Sequence, residues 1–309
     1  MTRRIRIPLL LDVVMVDDVD QLTTLNRHPA ISRVISGHGG LAHRMIQRRI
    51  YGTLTVGATP LPVFAGRDDP DRVKAQVGLE AHLTGPVPGE VVPRGAIEPL
   101  ARYVAGEDIG EPIGVAVQQL IGRMFVPGYA ATVESWEAAR VIDAWPRANP
   151  LKALWWRCTG KLRRSKALIW RLANNNPACI HSTAIALHNV VGALERMREP
   201  VAERHGMTAE EVVAACMVTP AGLLRSCTAT VEVPFLRKPL RRGTLIMFRL
   251  AKIHEAVRTN AVSFAENEWN QCPGHSVVPR LLQAVWTASL AYRGSLHVHR
   301  PSPGSSDDS

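Results

Sequence analysis

The chain is 309 residues long and 46% hydrophobic, with a net charge of +10 from 37 Lys and Arg against 27 Asp and Glu. These values exclude a peptide-sized scaffold and a wholly disordered chain, and allow one large core or two modest ones. The most apolar early stretch, residues 9–16, is broken by Asp12 and followed by no small-residue cleavage site, so neither a signal peptide nor a membrane span is expected. The expected location is the cytoplasm, without a membrane partner.

The five cysteines, Cys158, Cys179, Cys216, Cys227 and Cys272, are odd in number and form no Cys-x-x-Cys pair. A zinc ribbon, a dithiol redox motif and a disulfide framework are therefore not supported, and most of these thiols are expected as small buried apolar groups. The excess of arginine suits nucleic acid, an acidic protein or an anionic cofactor. A genome-wide preference for Arg and Ala is the plainer reading, since no basic helix interleaved with aromatic residues stands out.

In chain order, residues 9–16 read as a strand and 17–25 as a short helix, while 44–56 stay ambiguous. Asp68-Asp69-Pro70 opens a helix over 70–82, its acids at the positive helix end. Residues 85–95 are Pro/Gly-rich and read as a loop. Helices follow at 97–105, 112–125, 130–145 and 151–173, the second with an apolar period through Ile113, Val117, Leu120 and Met124. Asn174-Asn175-Asn176-Pro177 is a break. A long helix over 178–198 has no acidic residue before Glu195, which marks it as buried. Thr208 and Glu211 fit a capping box. Residues 228–233 and 243–250 read as strands, 251–268 as irregular, and 279–292 as an amphipathic helix just after Cys272. The expected class is mainly α with a small strand-rich minority, as a single domain over 1–300 and a disordered tail over 301–309.

Four stretches stand in a telling order: ACIHSTAIALHNVVGALERM, TPAGLLRSCTATVEV, RRGTLIMFRLAKIHEAV and WNQCPGHSVVPRLLQAVW. Together with Asp68-Asp69-Pro70-Asp71-Arg72 they resemble the cytochrome P-450 family, loosely from residue 9 to residue 286. The likeness is to a shortened, divergent member. The family's Phe, Gly and Arg before the cysteine are replaced by Ala265, Glu268 and Asn270. Val212-Val213-Ala214-Ala215 stands where its Glu-x-x-Arg aligns, and His181-Ser182 stands where its acid-Thr pair does.

The resemblance implies heme b held through Cys272 as the axial iron ligand. A helix N-terminus favours the thiolate, and Gly274 would let the chain pass close to a porphyrin. The same cysteine also reads as a buried cap-region thiol, or as half of a Cys-x-x-His metal pair with His275. Arg225, Arg72 and Lys74 are the candidate propionate partners, against a reading as ordinary surface cations. His181, Ser182 and Thr183 are the candidate catalytic residues of the distal helix. His188, seven positions on, falls on a similar face, and either histidine also reads as a core residue, His188 with Asn189 as its partner.

The function so implied is monooxygenase-type oxidation of a small apolar substrate. A ferredoxin-type electron donor would dock on a basic proximal surface that includes Arg237, Lys238, Arg241 and Arg242. The alternatives are a haem-thiolate peroxygenase, or an isomerase or dehydratase using iron as a Lewis acid. From another class comes a metal-free helical protein that binds nucleic acid, a partner the absence of any base-reading signature argues against.

Overall fold

The basic start of the chain pairs with the apolar run that follows it. β1 (Arg3–Ile7) and β2 (Leu11–Val16) form an antiparallel hairpin in the register Arg3 to Met15 and Ile7 to Leu11. Across it Arg4 donates two hydrogen bonds to the Asp12 carboxylate, at 2.8 and 2.9 Å, and so supplies a favourable partner for the charge that interrupts the strand. The structure is a computed structural model. It describes residues 2–33, 39–53, 55–56, 59–62, 65–83, 94–199, 206–220, 222–257, 260–266, 268–269 and 271–298.

Helix α1 (Val19–Arg27), capped by the Asp18 side chain, leads to the short strand β3 (Ile31–Ser32). Then come α2 (Leu41–Thr53), the small hairpin β4 (Thr55–Val56) and β5 (Thr59–Pro60), and α3 (Pro70–Leu83). The helical body holds α4 (Ile97–Ala105), α5 (Ile113–Phe125), α6 (Val133–Ala144), α7 (Pro150–Cys158) and α8 (Lys161–Leu172). A long helix, α9, runs through Pro177–His181, a π segment Ser182–Ala186, and Leu187–Arg198. It is followed by α10 (Ala209–Cys216), strands β6 (Leu223–Cys227) and β7 (Leu245–Phe248), α11 (Leu250–Val257), α12 (Asn260–Phe264) and α13 (Val278–Val298).

The five-stranded sheet has the order β1-β2-β7-β6-β3, antiparallel except where β2 runs parallel to β7. Two main apolar cores result, beside a small third one around Trp145 and Trp156. One lies under the sheet, through Val14, Leu25, Ile31, Phe248 and Ile253. The larger gathers α4, α5, α6, α9, α10 and α13 around Leu120, Ile142, Leu187, Leu194 and Leu282. Close approach sets one position in it: a Cβ at Gly114 would sit 2.3 Å from the Trp136 ring, so only glycine lets α5 meet α6 there.

Several sequence expectations need correction. Residues 151–173 are two helices, because Gly160 takes φ 66° and ends the first. The strand expected over 228–233 lies earlier, as β6. LLRSC does not alternate in polarity because its last three residues are all buried; Val231 contributes only an isolated bridge to Leu240. The stretch 251–268 holds the helices α11 and α12. The strand expected over 9–16 is the hairpin's second half, with a turn before it that sets Leu9 at φ 60°. The loop expected over 85–95 lies outside the described residues except for its last two positions, and the tail 301–309 lies wholly outside them. The capping box is present, Thr208 Oγ1 accepting from the Glu211 N–H and a Glu211 oxygen accepting from the Thr208 N–H.

Candidate functional site

Cys272 stands between two helices that fix it from both sides. Its N–H donates to the Phe264 carbonyl at the end of α12, 2.7 Å away, and its carbonyl accepts from the His275 N–H at 3.0 Å across the 3-10 turn Pro273–His275. The thiol is half-buried. Burial pushes its pKa up, and the Gly274 N–H and the positive charge of Arg33 oppose that rise. His275 does not turn to the thiol: Nδ1 faces the Cys272 carbonyl at 3.0 Å and Nε2 faces Gln271 Nε2 at 2.9 Å. That arrangement disfavours the Cys-x-x-His pairing. Among the described residues no group of three or more His, Cys, Asp or Glu could hold a metal ion.

Three positions before the cysteine, Trp269 is ringed by guanidinium groups. Arg33, Arg67, Arg72 and Arg225 come from three separate stretches of the chain, Arg67 and Arg72 from the same one, and each lies 5.1 to 5.6 Å from the ring centroid. Trp269 is anchored by its indole N–H, which donates to the Asn26 carbonyl at 3.0 Å. Asn26 is buried and donates to Glu268 at 2.6 Å, while its Oδ1 accepts from Arg225 Nε at 3.3 Å. Arg225 on β6 is only 1% exposed. It donates Nη1 to the Leu224 carbonyl at 2.9 Å, and its Nη2 is buried without a hydrogen-bond partner. Burial and the repulsion of Arg33 push its pKa down, against the pull of Glu268.

Arg72, in the first turn of α3, is also buried. It donates to the Gly66 carbonyl at 2.9 Å, to Gln76 at 2.7 Å and to the Trp269 carbonyl at 3.3 Å. Arg33 is the common neighbour: its charge acts on Cys272, His181 and Arg225, and the charge of Arg72 acts on it. Burial and repulsion from Arg72 hold its own pKa down at about 10. The cluster thus gathers positive charge in a desolvated place with one inward carboxylate, Glu268, which also pairs with Arg27 at 3.4 Å. Such a set stabilises an anion strongly and is itself destabilised without one.

The long helix α9 begins at Asn176, whose side chain accepts from the Ala178 and Cys179 N–H groups at 3.0 and 3.1 Å, with Pro177 at the first helical position. His181 is half-buried; burial and the charge of Arg33 push its pKa down to about 4, so the ring is neutral at neutral pH, below the ordinary imidazole range. Ser182 is half-buried beside it. Thr183 turns the other way: it is buried, and its hydroxyl donates to the Cys179 carbonyl at 2.7 Å. His188 does not share the His181 face. It packs against Trp136 on α6, ring centroids 5.0 Å apart, with Nε2 buried and unpartnered rather than bonded to Asn189. The π segment between them is the reason: its wider turns mean that seven residues no longer return a side chain to the same face.

The structure therefore brings together Cys272, Arg225, Arg72 and His181, all linked through Arg33. Gly274 adjoins the thiol. Lys74 is exposed on α3, outside the cluster. Arg237, Lys238, Arg241 and Arg242 are exposed beside the sheet, where Arg4 donates to the Lys238 carbonyl at 3.1 Å; the described contacts do not join them to the elements around Cys272. Sequence reasoning missed Arg33, Arg67, Asn26 and Trp269. A tryptophan three positions before the cysteine was the one local signal available.

No family profile matches the chain, and no match to it is found among curated proteins. Solved structures do match it. A cytochrome P450 from Thermus thermophillus superposes with a TM-score of 0.60 at 17% identity, over 94% of this chain and 84% of that one. Mycinamicin VIII C21 methyl hydroxylase from Micromonospora griseorubida gives 0.59 at 12% identity, over 96% and 86%. Cytochrome P450EX alpha, solved with myristic acid, gives 0.58 at 11% identity, over 92% and 82%. The chain has a cytochrome P450-like fold: mainly α, with one small mixed sheet.

Proposed function

We propose that the protein is a haem-thiolate oxidoreductase acting on a small apolar substrate, with Cys272 as the axial ligand of heme b. The observation that carries this reading is the gathering of four guanidinium groups around Trp269, three positions before the half-buried Cys272, with Arg33 among them acting on both Cys272 and His181, within a cytochrome P450-like fold. The residues fit the group. Arg225 has a buried, unpartnered Nη2 to offer a carboxylate, and Arg72 and Arg33 add charge for a second one. A Cβ at Gly274 would meet only Val278 at 3.4 Å and the Cys272 sulfur at 3.6 Å. The protein itself leaves room for a methyl there, so any demand for glycine comes from what binds beside the thiol.

When bound, the haem supplies iron whose thiolate ligand pushes electron density toward oxygen-oxygen bond cleavage. The chain's own residues do the rest. Cys272 must give up its proton, and the Gly274 N–H and Arg33 favour the anion against burial. Arg225 and Arg72 hold and orient carboxylates. His181, neutral at working pH, takes or returns a proton at a ring nitrogen, and Ser182 can pass one on.

A peroxide-dependent version of this chemistry has its own support. Arg33 acts on His181, and an imidazole that accepts a proton beside a guanidinium that stabilises the resulting negative charge suits deprotonation of a peroxide. An electron donor such as a ferredoxin is then not required. Titration of the protein with hemin tests the main reading. It should saturate at one haem per chain with a Soret band; a titration with no saturating band would contradict it. Turnover of the loaded protein with peroxide, and separately with dioxygen and a reductant, distinguishes the two versions.

A further inference from the structure

The charge of the chain is unevenly placed. From Asp143 to Glu195 the sequence carries no acidic residue in between, and cations accumulate on the hairpin of α7 and α8. Lys152, Arg157, Arg163, Arg164 and Arg171 are exposed and Lys161 is half-buried. Into this basic surface the hairpin sets three large apolar side chains that stay largely exposed among the described residues: Leu151, Leu154 and Trp155 are 81%, 58% and 55% exposed.

Their spacing, i, i+3 and i+4, puts all three on one face of α7. The opposite face is already used, with Ala153 and Trp156 buried in a small core against Trp145. Lys152 and Arg157 flank the outward apolar stripe on either side, and the Lys161 ammonium lies 5.8 Å from the Trp155 ring. On the other side of α7 a groove of about 450 Å³ is lined by Trp156, Trp170, Leu162, Arg157 and Arg163. Gly160 folds one apparent helix into two, so that Trp155, Trp156 and Trp170 stand among the cations of the hairpin.

We propose that the α7–α8 hairpin docks the protein onto an anionic lipid bilayer, with Leu151, Leu154 and Trp155 inserted at the headgroup boundary and the surrounding cations on the lipid phosphates. The stripe decides between occupants. A nucleic acid would use the cations but has no place for two exposed leucines, whereas an interfacial helix needs both an apolar face and a basic margin. A second copy of the chain would bring like charges together with no acid on the hairpin to offset them. No helix of the described residues is long and apolar enough to cross a membrane, so the attachment is peripheral and reversible.

The test uses the full chain and vesicles of phosphatidylcholine, with and without phosphatidylglycerol. Its readout is sedimentation and needs no haem, so it can fail independently of the oxidoreductase reading. The protein should bind the phosphatidylglycerol vesicles, leave the neutral ones, and be released by salt. The double variant Leu151→Glu, Trp155→Glu should bind at least about tenfold more weakly, because the inserted apolar area is lost, while helix content stays as in the wild type, since both positions face solvent. Brominated acyl chains should quench the wild type more than Trp155→Phe. Failure to bind phosphatidylglycerol vesicles would overturn the proposal, as would binding unchanged in the double variant. Tight binding to polyuridylate that the double variant retains would reassign the surface to nucleic acid. A wild-type dimer that the double variant dissolves would reassign it to self-association.

Discussion

Arg225 is the most telling single residue of the cluster. A guanidinium that is 1% exposed, pushed down in pKa by burial and by Arg33, and left with its Nη2 group unpartnered is a costly group to keep inside a protein. Binding a carboxylate would offset that cost. Arg225→Ala should therefore weaken haem retention by roughly 1.5–3 kcal/mol, the worth of a hydrogen bond to a charged group, or about tenfold to a hundredfold in affinity. Competition of loaded protein with excess apomyoglobin measures it. Arg225→Lys should not restore the loss, because an ammonium lacks the planar fork that meets two oxygens.

His181 gives a second test at the same scale, made on the apoprotein. Its folded pKa of about 4 lies below its unfolded value near 6.5. Between those values the unfolded chain binds more protons than the folded one, so stability falls as pH drops from about 6.5 toward about 4. Asp12 and Asp17, held below the usual carboxylate range by burial-opposed bonds to Arg4 and to Arg249, lose their contribution at still lower pH. His181→Gln should flatten the wild-type slope between pH 6.5 and 4 in urea titrations. An identical slope in the variant would place the ring in a solvated setting.

At the scale of elements, the long helix α9 depends on its start. Asn176 caps two N–H groups and Pro177 presets the first turn. Asn176→Ala should cost about 1 kcal/mol, within a range of about 0.5–2, in denaturant unfolding. The Cys272 turn yields a sharper test. Because a methyl at position 274 meets only ordinary contacts, Gly274→Ala should leave the unfolding midpoint of the apoprotein unchanged yet weaken hemin binding; equal loss of both would mean that the glycine serves the backbone alone.

Much of this level was legible beforehand. The helical period of α5, the acid-free run of α9 and the capping box at Thr208 all report on side-chain faces within one segment, and faces follow from local spacing. Gly160 and β6 were not legible. A single positive φ splits a periodic stretch without disturbing its pattern, and a strand with three consecutive buried residues shows no alternation.

Across the whole molecule, topology brings together what the sequence keeps apart. Asn26 holds the indole of Trp269 from 243 positions away, and Arg33, Arg67, Arg72 and Arg225 meet over that ring only because β3, β6 and α3 converge there. Cys272 stood out in the sequence before an amphipathic helix, and Arg225 only as a residue preceding a strand expected at 228–233, whereas the structure sets it inside β6. Arg33 did not stand out, since nothing around it distinguishes one arginine from the rest in so basic a chain. The π segment of α9 is likewise invisible to spacing, yet it turns His188 toward Trp136 and leaves His181 with Arg33.

The central claim is that the Cys272 thiolate binds haem iron. The most direct measurement is the absorption spectrum of the hemin-loaded protein, reduced under carbon monoxide, for wild type and Cys272→Ser side by side. The wild type should show the red-shifted Soret band of a thiolate-ligated iron, and the variant should lose it while keeping the helix content of the wild type. A band at the same position in both proteins, or no haem complex in the wild type, would contradict the account.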